Sequence, residues 1–198
     1  MFRTLLFHQP FQSPSMKKSI LTLAAASLLT LPVLGAPTGS PAITFHSDAY
    51  QEVGDDNLFS FLIGTTEDAE FTVVDGLGER DITITPADID PSTGSWTGTW
   101  ISLKAPASGI IKFYGDPSSI DVVIAEGAYV TSVEMPDLTN LDILDLSHNA
   151  LQKLDLSSFS KLQAIYLTDN PFTTETPLKI GGNKPNLAIL EIDIIDHI

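Results

Sequence analysis

Cysteine is absent from the 198 residues of the sequence, which excludes disulfides, thiol nucleophiles and thiolate metal ligands. Basic residues are scarce, with 10 Lys+Arg against 25 Asp+Glu and a formal net charge of −15. Because phosphate binding needs clustered Lys and Arg, this balance argues against a nucleic-acid partner. Phosphate-binding, zinc-protease and nucleophile-elbow motifs are also missing. We therefore expect a protein that is not an enzyme and that needs neither a metal nor a cofactor.

An uncharged apolar run near the start of the chain predicts export. Lys17 and Lys18 precede the run ILTLAAASLLTLPVL, which has the length of a signal-peptide core and is short for a membrane span. We expect residues 1–35 to be removed and the remaining chain, without a membrane span, to be periplasmic, at the cell surface or extracellular. An uncut membrane anchor is the alternative, and both Met1 and Met16 stay open as the start.

The C-terminal half contains an internal repeat with a spacing of 21 residues. The segments LDILDLSHNAL and LQAIYLTDNPF carry the same residue types in the same order. The L-x-L alternation predicts a strand with both apolar residues on one side, and the asparagine is expected to bind backbone groups at the turn that follows. The repeat positions are Leu141, Leu144, Leu146 and Asn149 in the first segment, and Leu162, Ile165, Leu167 and Asn170 in the second.

Weaker copies of this frame surround the two clear ones. An earlier copy includes Val123, and LAILEI restores the frame 25 residues after Leu162, at Leu187. A nested frame, VTSVEM and LQKLDL, lies between the primary copies. The whole pattern resembles the short, nested repeats of bacterial leucine-rich repeat proteins. The resemblance implies a solenoid over residues 117–198, in which parallel strands stack and bury their apolar residues in one column.

Residues 36–116 predict a separate β domain. Turn residues separate six short β-rich runs, which is typical of a small β-sandwich. The runs lie at 43–45, 58–63, 71–74, 81–85, 96–103 and 109–114. The expected fold class is therefore mainly β, with a sandwich-like N-terminal domain that resembles the β domain preceding such repeats in some secreted bacterial proteins. We expect residues 109–114 to form the strand that covers the first repeat.

The last repeat departs from the pattern. It carries an enlarged loop rich in Pro, Gly and Thr within residues 171–185, and the final residues are apolar without a polar cap. The open edge of a sheet exposes unpaired backbone. We therefore expect residues 187–198 either to pair with a second copy, giving a homodimer, or to belong to a truncated fragment of a larger adhesin.

The outward positions of the repeat strands are the predicted binding surface. They are Asp145, Tyr166 and Glu191 in the primary strands, and Glu134 and Asp155 in the nested strands. Carboxylates around one aromatic residue predict recognition of a basic or cation-bearing partner, with Tyr166 as the anchor. The alternative is that these acids only fill outward positions and keep the protein soluble.

Trp96 and Trp100 indicate a second candidate site. Residues four apart on one strand point the same way, so this pair predicts a stacking platform for a sugar ring, or else packing in the sandwich core. The expected function is non-catalytic binding of a protein or a cell-surface partner through the repeat strands. A carbohydrate-binding surface protein and a structural fragment of an adhesin are the alternatives.

Overall fold

The computed structural model describes residues 37–53, 58–173 and 178–193, and these residues are mainly β, which confirms the predicted class. The predicted signal segment, residues 1–35, lies outside the described residues. The elements are β1 (Ile43–Ser47), α1 (Ala49–Val53), β2 (Leu58–Thr65), β3 (Ala69–Asp75), β4 (Gly78–Ile84), β5 (Asp88–Ile89), β6 (Trp96–Thr97), β7 (Thr99–Lys104), β8 (Ile110–Tyr114), a 3-10 turn (Pro117–Ser119), β9 (Ile120–Ile124), β10 (Val130–Glu134), β11 (Ile143–Asp145), β12 (Leu154–Asp155), β13 (Ala164–Leu167), β14 (Leu178–Lys179) and β15 (Ile189–Ile192).

Two large sheets contain most of these strands. The five-stranded sheet has the order β10-β1-β8-β3-β4, and the six-stranded sheet has the order β15-β13-β11-β9-β2-β7. Two small ladders join β12 to β14 and β5 to β6. Both large sheets combine strands from before and after residue 116, and the described residues belong to one compact unit. The division into domains at residue 116 stays a prediction.

One hydrophobic core lies between the two large sheets. Phe45 on β1 and Phe61 on β2 are fully buried, and their ring centroids are 4.6 Å apart. Phe113 on β8 meets the Phe45 ring edge-on at 6.0 Å. Phe113 alternates with more exposed residues along β8, and the three rings meet in the core, so each sheet presents an apolar face to the other. The same core continues without a break beneath the C-terminal strands.

The strands β9, β11, β13 and β15 are parallel neighbours in the six-stranded sheet. Their inward residues lie in one register row: Val123, Leu144, Ile165 and Leu190. Partners in this row are 21, 21 and 25 residues apart in the sequence. The first three side chains are fully buried, whereas Leu190 on the last strand is 45% exposed. The repeat spacing in the sequence therefore gives the pairing register of these four parallel strands.

Asn149 and Asn170 bind the backbone at the turns that follow β11 and β13. The Oδ1 atom of Asn149 accepts two N–H groups and its Nδ2 atom donates to three carbonyls, all at 2.7–3.0 Å; the partners are Ala128, Val130, Ala125, Leu146 and Ser147. Asn170 donates to the Leu146 carbonyl at 2.8 Å and accepts the Leu151 N–H at 3.0 Å. Each asparagine thus ties its own turn to the preceding repeat.

The residue at one turn position has a left-handed backbone in three successive repeats. Gly127, His148 and Asp169 are 21 residues apart and have φ angles of 65°, 55° and 53°. Glycine adopts this conformation without a steric penalty, whereas histidine and aspartate do so at some cost. The repeated angle shows that each turn bends the chain in the same way after its parallel strand.

The predicted covering strand is wrong. Residues 109–114 correspond to β8, but β8 pairs with β1 on one edge and β3 on the other and so has no free edge for the first repeat strand. Instead, β2 pairs antiparallel with β9, with Ile63 opposite Val123. Because both residues belong to the core row, this pairing continues the apolar face of the sheet from β2 into the parallel strands.

Candidate binding surface

One register row crosses all six strands of the larger sheet on the side away from the core. Asp145 lies between Leu144 and Leu146, which are both fully buried, so its side chain points outward. The row consists of Trp100, Leu62, Ile124, Asp145, Tyr166 and Glu191, in strand order from β7 to β15. We call this side of the sheet the outer face and this row the central row. The structure thus brings Asp145, Tyr166 and Glu191 side by side.

A second row of the outer face is apolar. Val122, Ile143, Ala164 and Ile189 are register partners on β9, β11, β13 and β15. We call them the apolar row. Val122 and Ala164 are nearly buried, Ile143 is half-buried and Ile189 is 41% exposed. The open part of the outer face therefore offers apolar side chains directly beside the carboxylates of the central row.

A small hairpin covers the other part of the outer face. The strands β5 and β6 pair with each other, and the half-buried Trp96 packs with Ala87 against Leu62, Val122 and Ile124. These three residues are at most 4% exposed, although they lie outside the main core. The face is consequently covered over β2 and β9.

The prediction that Trp96 and Trp100 lie on one strand is wrong. Gly98, with a φ of 119°, separates β6 from β7, so Trp96 pairs within the hairpin and Trp100 pairs with Leu62 in the sheet. A residue other than glycine rarely adopts this φ angle, and the interruption therefore depends on Gly98. Trp96 is partly covered in the apolar cluster, whereas Trp100 is 50% exposed. Only Trp100 presents a large free surface.

Burial raises the pKa of two groups in the central row. The pKa of Asp145 is raised because the carboxylate is desolvated, although the Ser147 N–H donates a hydrogen bond to it at 2.9 Å. The pKa of the Tyr166 hydroxyl is raised by burial and then by the negative charges of Glu191 and Asp145. Both carboxylates therefore act electrostatically on the phenol, and a cation at this point would meet two negative charges and an aromatic ring.

A charged cluster borders the outer face where the parallel strands end. His148 Nδ1 lies 2.8 Å from Asp169 Oδ2, and His148 Nε2 lies 3.6 Å from Glu126 Oε1. The Asp169 N–H also donates to Asp193 Oδ2 at 3.2 Å. Glu126 has a raised pKa, caused by burial and by the charge of Asp145. The sequence contains a signal for this cluster. His148 and Asp169 occupy the same position in successive 21-residue repeats, so they are expected to be neighbours when the repeat strands pair.

Glu134 and Asp155 do not lie on the outer face. Glu134 belongs to β10 in the five-stranded sheet and lies 3.6 Å from His46, whereas Asp155 belongs to the β12–β14 ladder and lies 3.3 Å from Lys179. The pKa of Asp155 is lowered to about 2, mainly by hydrogen bonds from Ser157. The five predicted partner-binding residues are thus divided between different sheets, because the primary and nested strands pair separately.

A groove of about 660 Å³ opens beside these two acids. It lies between β10 and β12, which are not paired with each other, although the nested frame places them in successive repeats. Its lining is Ser132, Val133, Glu134, Met135, Pro136, Lys153, Leu154, Asp155, Ser157, Ser158, Phe159 and Lys179. Acidic and basic residues are equally numerous in this lining, so the groove shows no preference for one charge.

Two features are not found in the part of the chain that the structure describes. Within residues 37–53, 58–173 and 178–193, no three His, Asp or Glu side chains are grouped as ligands for a metal ion. None of the helices in these ranges has the length and the hydrophobicity that crossing a membrane requires. Pairing of two copies through residues 187–198 stays a prediction, and residues 194–198 lie outside the described ranges.

Comparison with known proteins gives no match. No protein-family model, no curated protein and no solved structure is similar to this chain at a significant level.

Proposed function

We propose that this protein is an exported, non-catalytic binding module that docks a protein partner on the open part of its outer face. The observation that carries the proposal is the alignment of Asp145, Tyr166 and Glu191 in one register row beside the apolar row. An anchor residue for a partner combines a large contact area with a polar tip, and a half-buried tyrosine provides both.

The C-terminal strands belong, in this proposal, to a leucine-rich repeat solenoid. The parallel register at steps of 21 residues and the repeated asparagine bonds support it. In such folds each repeat contacts only its neighbours, and the outward strand faces are free for binding. Export is proposed from the apolar run and its two preceding lysines.

A capture experiment with matched variants tests the proposed function. The purified protein is immobilised and exposed to detergent-solubilised surface proteins of the source cell, and the retained proteins are quantified by mass spectrometry. We expect one set of proteins to be retained by the unmodified chain and by Glu134→Gln, but lost with Tyr166→Ala and with Ile189→Ser. Equal retention by all variants would contradict docking on the outer face.

Carbohydrate binding is a second candidate because of Trp100. This side chain is 50% exposed, and a pair of serines, Ser60 and Ser102, lies in the next outward register row. Aromatic rings stack on sugars, and hydroxyl groups beside them supply hydrogen bonds. A glycan array with the unmodified protein and Trp100→Ala separates the two functions. Binding to a glycan that Trp100→Ala abolishes and Tyr166→Ala preserves would favour this second candidate.

A further inference from the structure

We propose that the partner occupies the outer face with a basic, amphipathic segment whose apolar side lies on the apolar row and whose Lys or Arg residues reach the central row. This inference rests on the proposed function and specifies the chemistry of the partner. Three features of the outer face favour such a segment: the sign of the charges on its open part, the separation of its two rows, and the environment of Tyr166.

The charges on the open part of the outer face, over the parallel strands, have one sign, whereas Lys104 lies at the far edge of this face on β7. The strands β9, β11, β13 and β15 contain no Lys or Arg, and their carboxylates are accompanied by Glu126, Asp169 and Asp193 at the strand ends. Within the described residues, the His148 side chain borders these acids and lies 2.8 Å from Asp169 and 3.6 Å from Glu126. A basic segment is therefore electrostatically complementary to this face. A second copy would bring the same acids and be repelled.

The two rows of the face match the two sides of an amphipathic segment. Residues two apart on a strand are separated by about 6.8 Å, so the central row runs beside the apolar row at that distance. Along the row, neighbouring strands are about 4.8 Å apart, which places the backbone of Asp145 about 10 Å from that of Glu191. A segment that crosses the strands can thus contact Ile143 and Ile189 on one side and both carboxylates on the other.

Tyr166 marks the position of the principal cation. Tyr166 on β13 lies between Asp145 on β11 and Glu191 on β15 in the same register row. A Lys or Arg side chain above the Tyr166 ring would gain a cation–π contact and would donate charge-assisted hydrogen bonds to both neighbouring carboxylates. Since Asp145 is half-buried and loses hydration in the folded protein, a charged partner has more effect here than at an exposed carboxylate.

The test uses two labelled synthetic peptides of lysine and leucine with identical composition. In one peptide the leucines recur at the spacing of one helical face, and in the other the order is scrambled. Binding is measured by fluorescence anisotropy at physiological ionic strength. We expect the amphipathic peptide to bind about tenfold more tightly than the scrambled one, and Ile189→Ser to reduce this discrimination.

A charge-matched pair of variants completes the design. Asp145→Asn with Glu191→Gln is expected to weaken binding of the amphipathic peptide by about tenfold or more. The control, Glu79→Gln with Glu134→Gln, removes the same charge from exposed acids elsewhere and is expected to change binding by less than about twofold. Equal weakening by both pairs, or equal binding of both peptides, would show general attraction to an acidic protein and overturn the inference.

The outcomes for the inference and for the proposed function can be told apart. One outcome is that capture of proteins depends on Tyr166, while peptide binding is unchanged by the outer-face variants. This outcome would support the docking surface and contradict the basic segment. If Tyr166→Ala and Ile189→Ser leave the retained proteins unchanged, the docking surface itself is contradicted, whatever the result with the peptides.

Discussion

Replacing Asn149 with alanine should weaken the stacking of the repeats. Its side chain accepts the N–H groups of Ala128 and Val130 and donates to three carbonyls, and it is only 8% exposed. Asn149→Ala removes the acceptor that both N–H groups share. Leaving a buried donor without its partner costs about 1–3 kcal/mol, so for the two donors we expect a loss of about 2–6 kcal/mol in the free energy of unfolding.

Urea unfolding followed by far-ultraviolet circular dichroism measures this loss, provided that the dependence on urea keeps the same slope. Asn140→Ala is the matched control, because Asn140 is a partly exposed asparagine of the same region that donates to the Ser118 carbonyl and contacts Lys161. The control should cost less than about 1 kcal/mol. A loss of that small size for Asn149→Ala, or equal losses for both variants, would refute the structural role of the asparagine bonds.

Three further predictions concern stability. Leu144→Ala should cost about 2–5 kcal/mol because it opens a cavity in the core row, whereas Leu190→Ala in the same row should cost far less, since Leu190 is 45% exposed; thermal unfolding of both variants compares them. Gly64→Ala should destabilise by about 1–3 kcal/mol because its new Cβ would lie 2.6 Å from the nearest side-chain carbon, while Gly182→Ala has open space and should be tolerated, and urea midpoints check this. Because burial raises the pKa of Asp145, its charge opposes folding above that pKa, and stability returns as pH falls toward the ordinary value of 3.8. Asp145→Asn should therefore be at least as stable as the unmodified protein at neutral pH, and its advantage should shrink near pH 3.8; lower stability at neutral pH would contradict this.

The parallel strands could be anticipated because their information is local and repeated. The step from Leu144 to Ile165 reads directly as a register pair, and the position of Asn149 after its strand indicates a turn that needs side-chain bonds. The outward direction of Asp145 and Tyr166 follows from simple alternation between buried residues. These features need no knowledge of distant contacts.

The connection between the repeat strands and the rest of the sheet could not be read in this way. The pairing of β2 with β9 joins Ile63 to Val123, and antiparallel contacts of such sequence separation leave no local pattern. The same holds for β10, which pairs with β1 and so carries Glu134 into the other large sheet. An L-x-x-L-x-L frame predicts which residues are buried, but it does not predict which other strand pairs with the strand that it forms.

The role of the tryptophans depended on one backbone angle. A β-rich run from 96 to 103 predicts a single strand, and the positive φ of Gly98 divides it. Glycine permits this angle but also occurs inside continuous strands, so its presence alone does not locate the break. The β5–β6 hairpin, which ends at this break, covers part of the outer face and separates Trp100 from Tyr166.

The most direct test of the account is a distance between spin labels on the strands. Because the sequence contains no cysteine, labels can be placed at chosen positions without background. Asp145→Cys with Glu191→Cys should give strong dipolar broadening, since the two positions lie two strand spacings apart, about 10 Å, on one face. Asp145→Cys with Asp155→Cys should give weak broadening, because these side chains project from different sheets. Strong broadening for the second pair, or weak broadening for the first, would contradict the arrangement on which the binding surface depends.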